Sequence, residues 1–183
     1  MDSEELKVEV LLEEYRQLRS EIMYWLDLRH RNKRFAMLIA LGVLSAGVGL
    51  ELSVIPLIGA LVISFLWYDE IRRLRAIFRN AAYIEVHLES QLEGLNWETQ
   101  IGSHVIQTSF LGRLIANAEF PILYLAMTLY GLITLPAKGP LYIVPLGICF
   151  GFLFLILIVA GYRVATHGRK RAVDFWRGKN ESS

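Results

Sequence analysis

The chain has 183 residues, of which 54% are hydrophobic and only 20% charged, with a formal net charge of +1. A soluble domain normally carries about 45–50% apolar and about 25% charged residues. The apolar excess collects in two blocks, residues 35–68 and 120–162, which excludes an ordinary soluble globule, a disordered chain and a disulfide scaffold.

In chain order, residues 1–34 come first as an expected cytoplasmic stalk helix. They carry fifteen charged side chains and no apolar core of the kind a signal peptide has, so the first apolar run is expected to act as the membrane-targeting signal itself. Ser3 followed by Glu4 and Glu5 suits a helix start, because a hydroxyl and carboxylates satisfy unpaired N–H groups there. Val8, Leu11, Tyr15, Leu18, Ile22 and Trp25 then repeat at 3-4-3-4-3 spacing, the seam of a coiled coil.

Residues 35–68 are expected to form a first transmembrane hairpin. A single helix of that length would be about 51 Å long, against a hydrocarbon core of about 30 Å. It would also carry Glu51 near the bilayer centre, where a carboxylate costs several kcal/mol. A turn at 51–56 puts Glu51 at the interface and lets Pro56 open the second span.

Residues 69–118 are expected as returning cytoplasmic stalk helices. Ile71, Leu74, Phe78, Ala81, Leu88 and Leu92 form a second seam, broken only by Glu85, and Gly94 is a natural stop. Residues 96–118 have a weaker apolar stripe (Val105, Ile106, Phe110, Leu114, Ile115) and are expected as a third stalk helix. A second hairpin is expected over 119–162, with its turn at Pro136, Lys138 and Pro140, followed by a basic cytoplasmic tail over 163–183. The expected fold is an all-α membrane protein with four transmembrane helices in two hairpins and a coiled-coil-like helical stalk.

Charge orients this plan. Of nineteen Lys and Arg, all but Lys138 fall in the segments that would share one side. The positive-inside rule puts both termini in the cytoplasm. Arg31, Lys33, Arg34, Arg72, Arg73, Arg169, Lys170 and Arg171 flank the spans and are expected to attract anionic lipid headgroups, at about 1 kcal/mol each. No nucleic acid is expected as a partner. Glutamates crowd the opposite end of the stalk and suit either solvent or a basic protein partner.

Chemistry is sparse. No P-loop, HExxH, GxSxG or GxGxxG pattern occurs, and the single cysteine, Cys149, offers no CxxC pair. In the stretch Glu85-Val-His87-Leu-Glu89, helical spacing turns His87 away from the two carboxylates, so no metal, cofactor or enzymatic activity is expected. The spans instead carry small residues. Gly42, Gly47 and Gly49 in the first span and Gly147 and Gly151 in the fourth allow close helix packing, within one subunit or between subunits of a homo-oligomer. Thr128, Tyr130 and Thr134 either wet one face of the third span, as pore-lining groups, or hydrogen-bond to a neighbouring helix.

The run Glu13-Glu14-Tyr15, Leu18, Glu21-Ile22, then a close-turned hairpin, then Tyr83-Ile84, Leu88-Glu89 and Gly94-Leu95-Asn96-Trp97-Glu98 resembles a group of small uncharacterised bacterial membrane proteins. These share a stalk-hairpin-stalk plan, which is loosely similar to the SLATT class of predicted defence effectors. The resemblance covers about residues 8–100, and the second hairpin departs from the two-span plan. It implies a pore-forming or effector subunit of a bacterial inner membrane; with the sparse chemistry and the small-residue faces, the first reading is a non-enzymatic oligomeric membrane protein gated through its stalk. Two other readings stand beside it. One is a membrane anchor or scaffold presenting the stalk to a soluble partner, as in an anti-phage system; the other is a passive transporter.

Overall fold

The structure is a computed structural model, which describes residues 3–50, 52, 54–92, 118–135 and 140–180. Over these residues the chain is all-helical. The helices are α1 (Ser3–Gly49), α2 (Val54–Tyr83), α3 (Glu119–Thr134) and α4 (Pro140–Asn180), and one π-helical turn, Ile84–Leu88, prolongs α2. The expected third stalk helix over 96–118 lies outside the described residues save for Ala118, as do Glu51, Ser53 and the turn at 136–139.

Local sequence explains the helix ends. Glu4 and Glu5 occupy the first turn of α1, where carboxylates complement the helix dipole. α1 closes at Gly49 with the Leu50 amide bonded to the Ala46 carbonyl at 2.9 Å. Pro56 sits within the first turn of α2, where its missing N–H breaks no helical bond. In the π turn the Glu89 amide reaches the Ile84 carbonyl at 2.9 Å, five residues back.

Two helices are long and apolar enough to cross a membrane, Val54–Leu88 and Ile143–Lys179. α3 is apolar but has only 16 residues. The apolar part of α1 begins at Phe35 and ends with the helix at Gly49. That is about 22 Å of helix, short of a core of about 30 Å.

The chain divides into two compact units, to both of which α1, α2 and α4 contribute. The first comprises Met1–Leu28, Arg72–Phe110 and Arg163–Ser183; the second comprises Arg29–Ile71 and Leu111–Tyr162. In the first unit Tyr15, Ile22, Ile77, Ala81, Ile84 and Leu88 form one buried cluster, with Leu11, Leu18 and Trp25 packed against it. α1 therefore meets α2 along residues 77, 81, 84 and 88. Phe78 lies instead against Gly168 of α4, one turn from the buried Val164. The segment expected as a basic tail is thus helical to Asn180 and built into the first unit, where Val164 and Val173 are buried.

The second unit has its own core of Ala36, Ala40, Ala60, Ile63, Trp67, Phe120, Tyr124 and Met127. Three glycines set its helix spacing. A β-carbon on Gly47 would come within 2.8 Å of Pro56, one on Gly59 within 2.6 Å of Val43, and one on Gly131 within 2.7 Å of Leu57.

Candidate functional site

The second unit combines an apolar exterior with a small set of locked charges. Arg29 on α1 donates through Nε to the Glu70 carboxylate on α2. One turn further, Lys33 reaches Glu119 at the start of α3 at 3.0 Å. The two cations stand four residues apart on one face of α1, so a single helix ties two neighbours at one level. Glu70 is only 3% exposed. A carboxylate so buried is tolerable because it is paired.

Outside that layer, this unit's surface is oily. Leu38, Leu41, Phe65, Ile122, Ile133, Ile148, Phe152 and Leu155 are all exposed. The most apolar 18-residue window of α4 is only 11% buried, against 50% for that of α2. Inside, Tyr124 donates to the Phe150 carbonyl at 2.8 Å and its ring stacks on Phe154.

Of the residues singled out for close packing, Gly47 meets Pro56 and Tyr130 within the unit. Gly147 has Leu132 at 3.9 Å, and Gly42, Gly49 and Gly151 have nothing within 4 Å. Of the three polar residues on α3, Thr128 is buried, Tyr130 points its ring toward Gly47, and the Thr134 hydroxyl bonds back to the Tyr130 carbonyl at 2.7 Å.

The first unit holds its polar groups differently. Tyr83 donates to Glu14 at 2.9 Å, joining α2 to α1. Burial, and then the neighbouring Glu14 carboxylate, push the Tyr83 phenol above its ordinary value. The rings of Tyr83, His87 and Trp176 pack together, with centroids 4.7, 5.0 and 5.4 Å apart. Arg169 reaches Glu85 at 2.9 Å, and Arg73 lies over the Trp25 ring.

The eight residues expected at lipid headgroups therefore fall into two sets. Lys33, Arg73 and Arg169 are engaged as described above, whereas Arg31, Arg34, Arg72, Lys170 and Arg171 are exposed. The stalk-seam residues also divide. Leu11, Tyr15, Leu18, Ile22, Trp25 and Leu88 share the cluster between α1 and α2. Leu92 is buried, Leu74 half-buried and Val8 exposed.

Sequence reading did not anticipate the pairs Arg29–Glu70, Lys33–Glu119 and Glu85–Arg169, or the role of Trp176. The four-residue spacing of Arg29 and Lys33, with an acidic residue at the edge of each facing apolar run, was the available signal. Among the described residues no group of three His, Cys, Asp or Glu gathers as metal ligands would. Comparison with family models, with characterised proteins and with solved structures gives no match.

Proposed function

We propose that the chain is an integral membrane protein that acts as an oligomeric anchor or scaffold, holding the second unit in lipid and presenting the first unit to the cytoplasm. The exposed apolar surface of the second unit carries this reading. A core helix of a soluble protein is mostly buried, whereas the apolar window of α4 is 11% buried and faces outward with Ile148, Phe152, Leu155 and Val159. Exposed apolar surface on this scale marks a membrane or partner contact.

Four spans in two hairpins follow if α1 from Phe35 and α3 cross beside the two longer helices, standing nearly upright to make up their length. Both termini are then cytoplasmic by the eighteen-to-one distribution of basic residues. The seams on α1 and α2 make the first unit a coiled-coil-like stalk. Arg31, Arg34 and Arg72 are left to meet anionic headgroups.

The choice of anchor over pore rests on α3. Thr128 is buried, Tyr130 faces Gly47, and the Thr134 hydroxyl is satisfied by its own helix. These three side chains are absorbed by packing rather than aligned as one wet stripe.

Reconstitution into liposomes tests the choice. Cysteines placed at Leu52 and Gly139 in a Cys149→Ser background should react with an impermeant thiol reagent outside intact cells, and cysteines at Glu4 and Arg177 should not. Purified protein in liposomes should pass no ions. Outside labelling of the termini would overturn the topology, and a flux abolished by Thr128→Ala would restore the pore.

A further inference from the structure

One face of α2 stays uncovered along most of the helix. Leu61, Phe65, Tyr68, Arg72, Arg75 and Arg79 recur at 4-3-4-3-4 spacing, and all six are exposed. At 100° per residue they fall within an arc of about 80°. The other side of the helix carries the buried Ile63, Trp67, Ile71 and Ile77.

The stripe changes character once. Its first three residues are apolar or aromatic, with Phe65 71% exposed, and its last three are arginines. Among the described residues none of these three guanidinium groups pairs with a carboxylate. Asp69, the acid closest to this face, lies about 60° round from Arg72, is half-buried and is already engaged. Beyond Arg79 the face is taken by α4, whose Trp176 packs on Tyr83 and donates to the Arg79 carbonyl at 3.3 Å.

Helix geometry aims the arginines back along α2. Every Cα–Cβ bond of an α-helix tilts toward the N-terminus, and long side chains follow it. The N-terminal half of α2 is its apolar half. The guanidinium groups therefore lean toward the segment that exposes Leu61 and Phe65. Arg72 and Arg75, three residues apart, are neighbours on the helix surface.

We infer that this stripe is a binding site for an anionic phospholipid. Arg72 and Arg75 take its headgroup phosphate together, and its acyl chains lie along Phe65 and Leu61. The inference rests on the membrane reading proposed above and names the lipid class and the site. Guanidinium groups suit phosphate because their planar forks donate paired hydrogen bonds. Tyr68 stands between the two halves, where an aromatic ring sits at headgroup level. Measured along the helix from Tyr68, Arg72 is about 6 Å away, Arg75 about 10 Å and Arg79 about 17 Å. Headgroup attraction fades within a Debye length of about 8–10 Å, so Arg79 contributes least. A soluble polyanion would use all three alike and leave Leu61 and Phe65 without a partner.

The test titrates the full chain, in a neutral detergent, with phosphatidylglycerol or phosphatidylcholine, and native mass spectrometry reads the lipid bound. Wild type should prefer phosphatidylglycerol, and excess inorganic phosphate should not displace it. Arg72→Gln with Arg75→Gln should weaken phosphatidylglycerol binding about tenfold, whereas Arg79→Gln should change it by less than about twofold. Lys170→Gln with Arg171→Gln removes the same charge from α4 and should also stay within about twofold. All five positions are exposed, so folding is not at risk.

Unchanged binding in the Arg72→Gln, Arg75→Gln variant, or an equal loss in the α4 variant, would overturn the site and leave the membrane anchor standing. A loss from Arg79→Gln as large as that from the pair would overturn the lipid and assign the stripe to a soluble polyanion. Displacement by inorganic phosphate would overturn it in favour of free phosphate. A chain that binds neither lipid and is washed from membranes by carbonate would overturn both readings.

Discussion

The two units share three helices and solve opposite solvation problems. The first buries Tyr15, Ile22, Ile84 and Leu88 against one another and keeps most of its charge outside. The second leaves Leu38, Phe65, Ile133 and Phe152 outside and draws Arg29, Glu70 and Lys33 inward as pairs. Most charges of the first unit are held by water, apart from the Glu85–Arg169 pair and the buried Glu89. In the second unit Arg29, Glu70, Lys33 and Glu119 are held by their partners, while Arg31 and Arg34 are exposed. Substitutions at the held groups and at the solvated ones should therefore differ sharply in cost.

The largest effect is expected at Glu70. Replacing it with alanine leaves Arg29 facing a nearly buried site without its carboxylate, which costs about 3–5 kcal/mol when a buried pair is broken. Chemical denaturation in detergent micelles should show that loss. Replacing both Arg29 and Glu70 with methionine should recover much of it, because the desolvation of two charges is removed with their attraction. Equal stability of Glu70→Ala and wild type would mean that the layer is solvated and that the second unit handles charge as the first does.

A charge moved to a non-charged site tests the contrast directly. Leu18→Asp pushes a carboxylate into the cluster between α1 and α2 and should cost about 3 kcal/mol of stability while leaving membrane integration intact. Phe152→Arg is placed on an exposed surface, where water would accept it at a cost within about 0.5 kcal/mol. If that surface faces lipid, the cost is about 2.5–3.5 kcal/mol and the carbonate-resistant membrane fraction falls. A Phe152→Arg protein that integrates like wild type would remove the distinction between the two exteriors.

Backbone spacing gives a smaller effect. Gly131→Ala brings a β-carbon against Leu57, including its backbone nitrogen at 3.3 Å, and should cost about 1–3 kcal/mol. Gly42→Ala meets nothing within 4 Å and should gain about 1 kcal/mol in helix propensity, measured as the melting temperature of the purified monomer. Destabilisation of an oligomer by Gly42→Ala, with the monomer unaffected, would place a neighbouring subunit on that face.

These contrasts also mark what the sequence made legible. Helix and apolar blocks were readable because period and composition act locally. The α1 seam was readable too, since Tyr15, Ile22 and Trp25 fall on one stripe whatever they touch. The matching stripe on α2 is met at Ala81 and Leu88. Ile77 and Ile84 join it in place of Leu74 and Phe78, because α2 is shared between α1 and α4 and Phe78 turns to Gly168. The segment from Arg163 reads as a tail because its six Lys and Arg dominate the composition. Val164 with Gly168, and Val173 with Trp176, are apolar pairs one turn apart that carry the opposing signal. The pairs Arg29–Glu70 and Lys33–Glu119 depend on which helices become neighbours, and a single sequence does not encode that openly.

The smallest expected effect separates a buried polar link from the charges around it. Tyr83 lies in the first unit, half-buried, and donates to Glu14 across the pair of helices. Its phenol is raised by burial and then by Glu14, so the folded state holds this proton more tightly than the unfolded chain does. A group raised in this way contributes stability that is fully present below its unfolded value of about 10 and is lost as pH climbs through the folded one. Stability should therefore be flat with respect to Tyr83 at neutral pH and decline on the alkaline side. Tyr83→Phe should cost about 1 kcal/mol at pH 7, since the ring still packs on His87 and Trp176 and only the hydrogen bond is gone. The same variant should show a shallower alkaline decline, because the titrating group has been removed. Urea titrations at pH 7, 9 and 10.5 measure both effects. Parallel pH profiles for the variant and wild type would show that the Tyr83 hydroxyl is exchanged with water, and that the first unit keeps even this polar group at its surface.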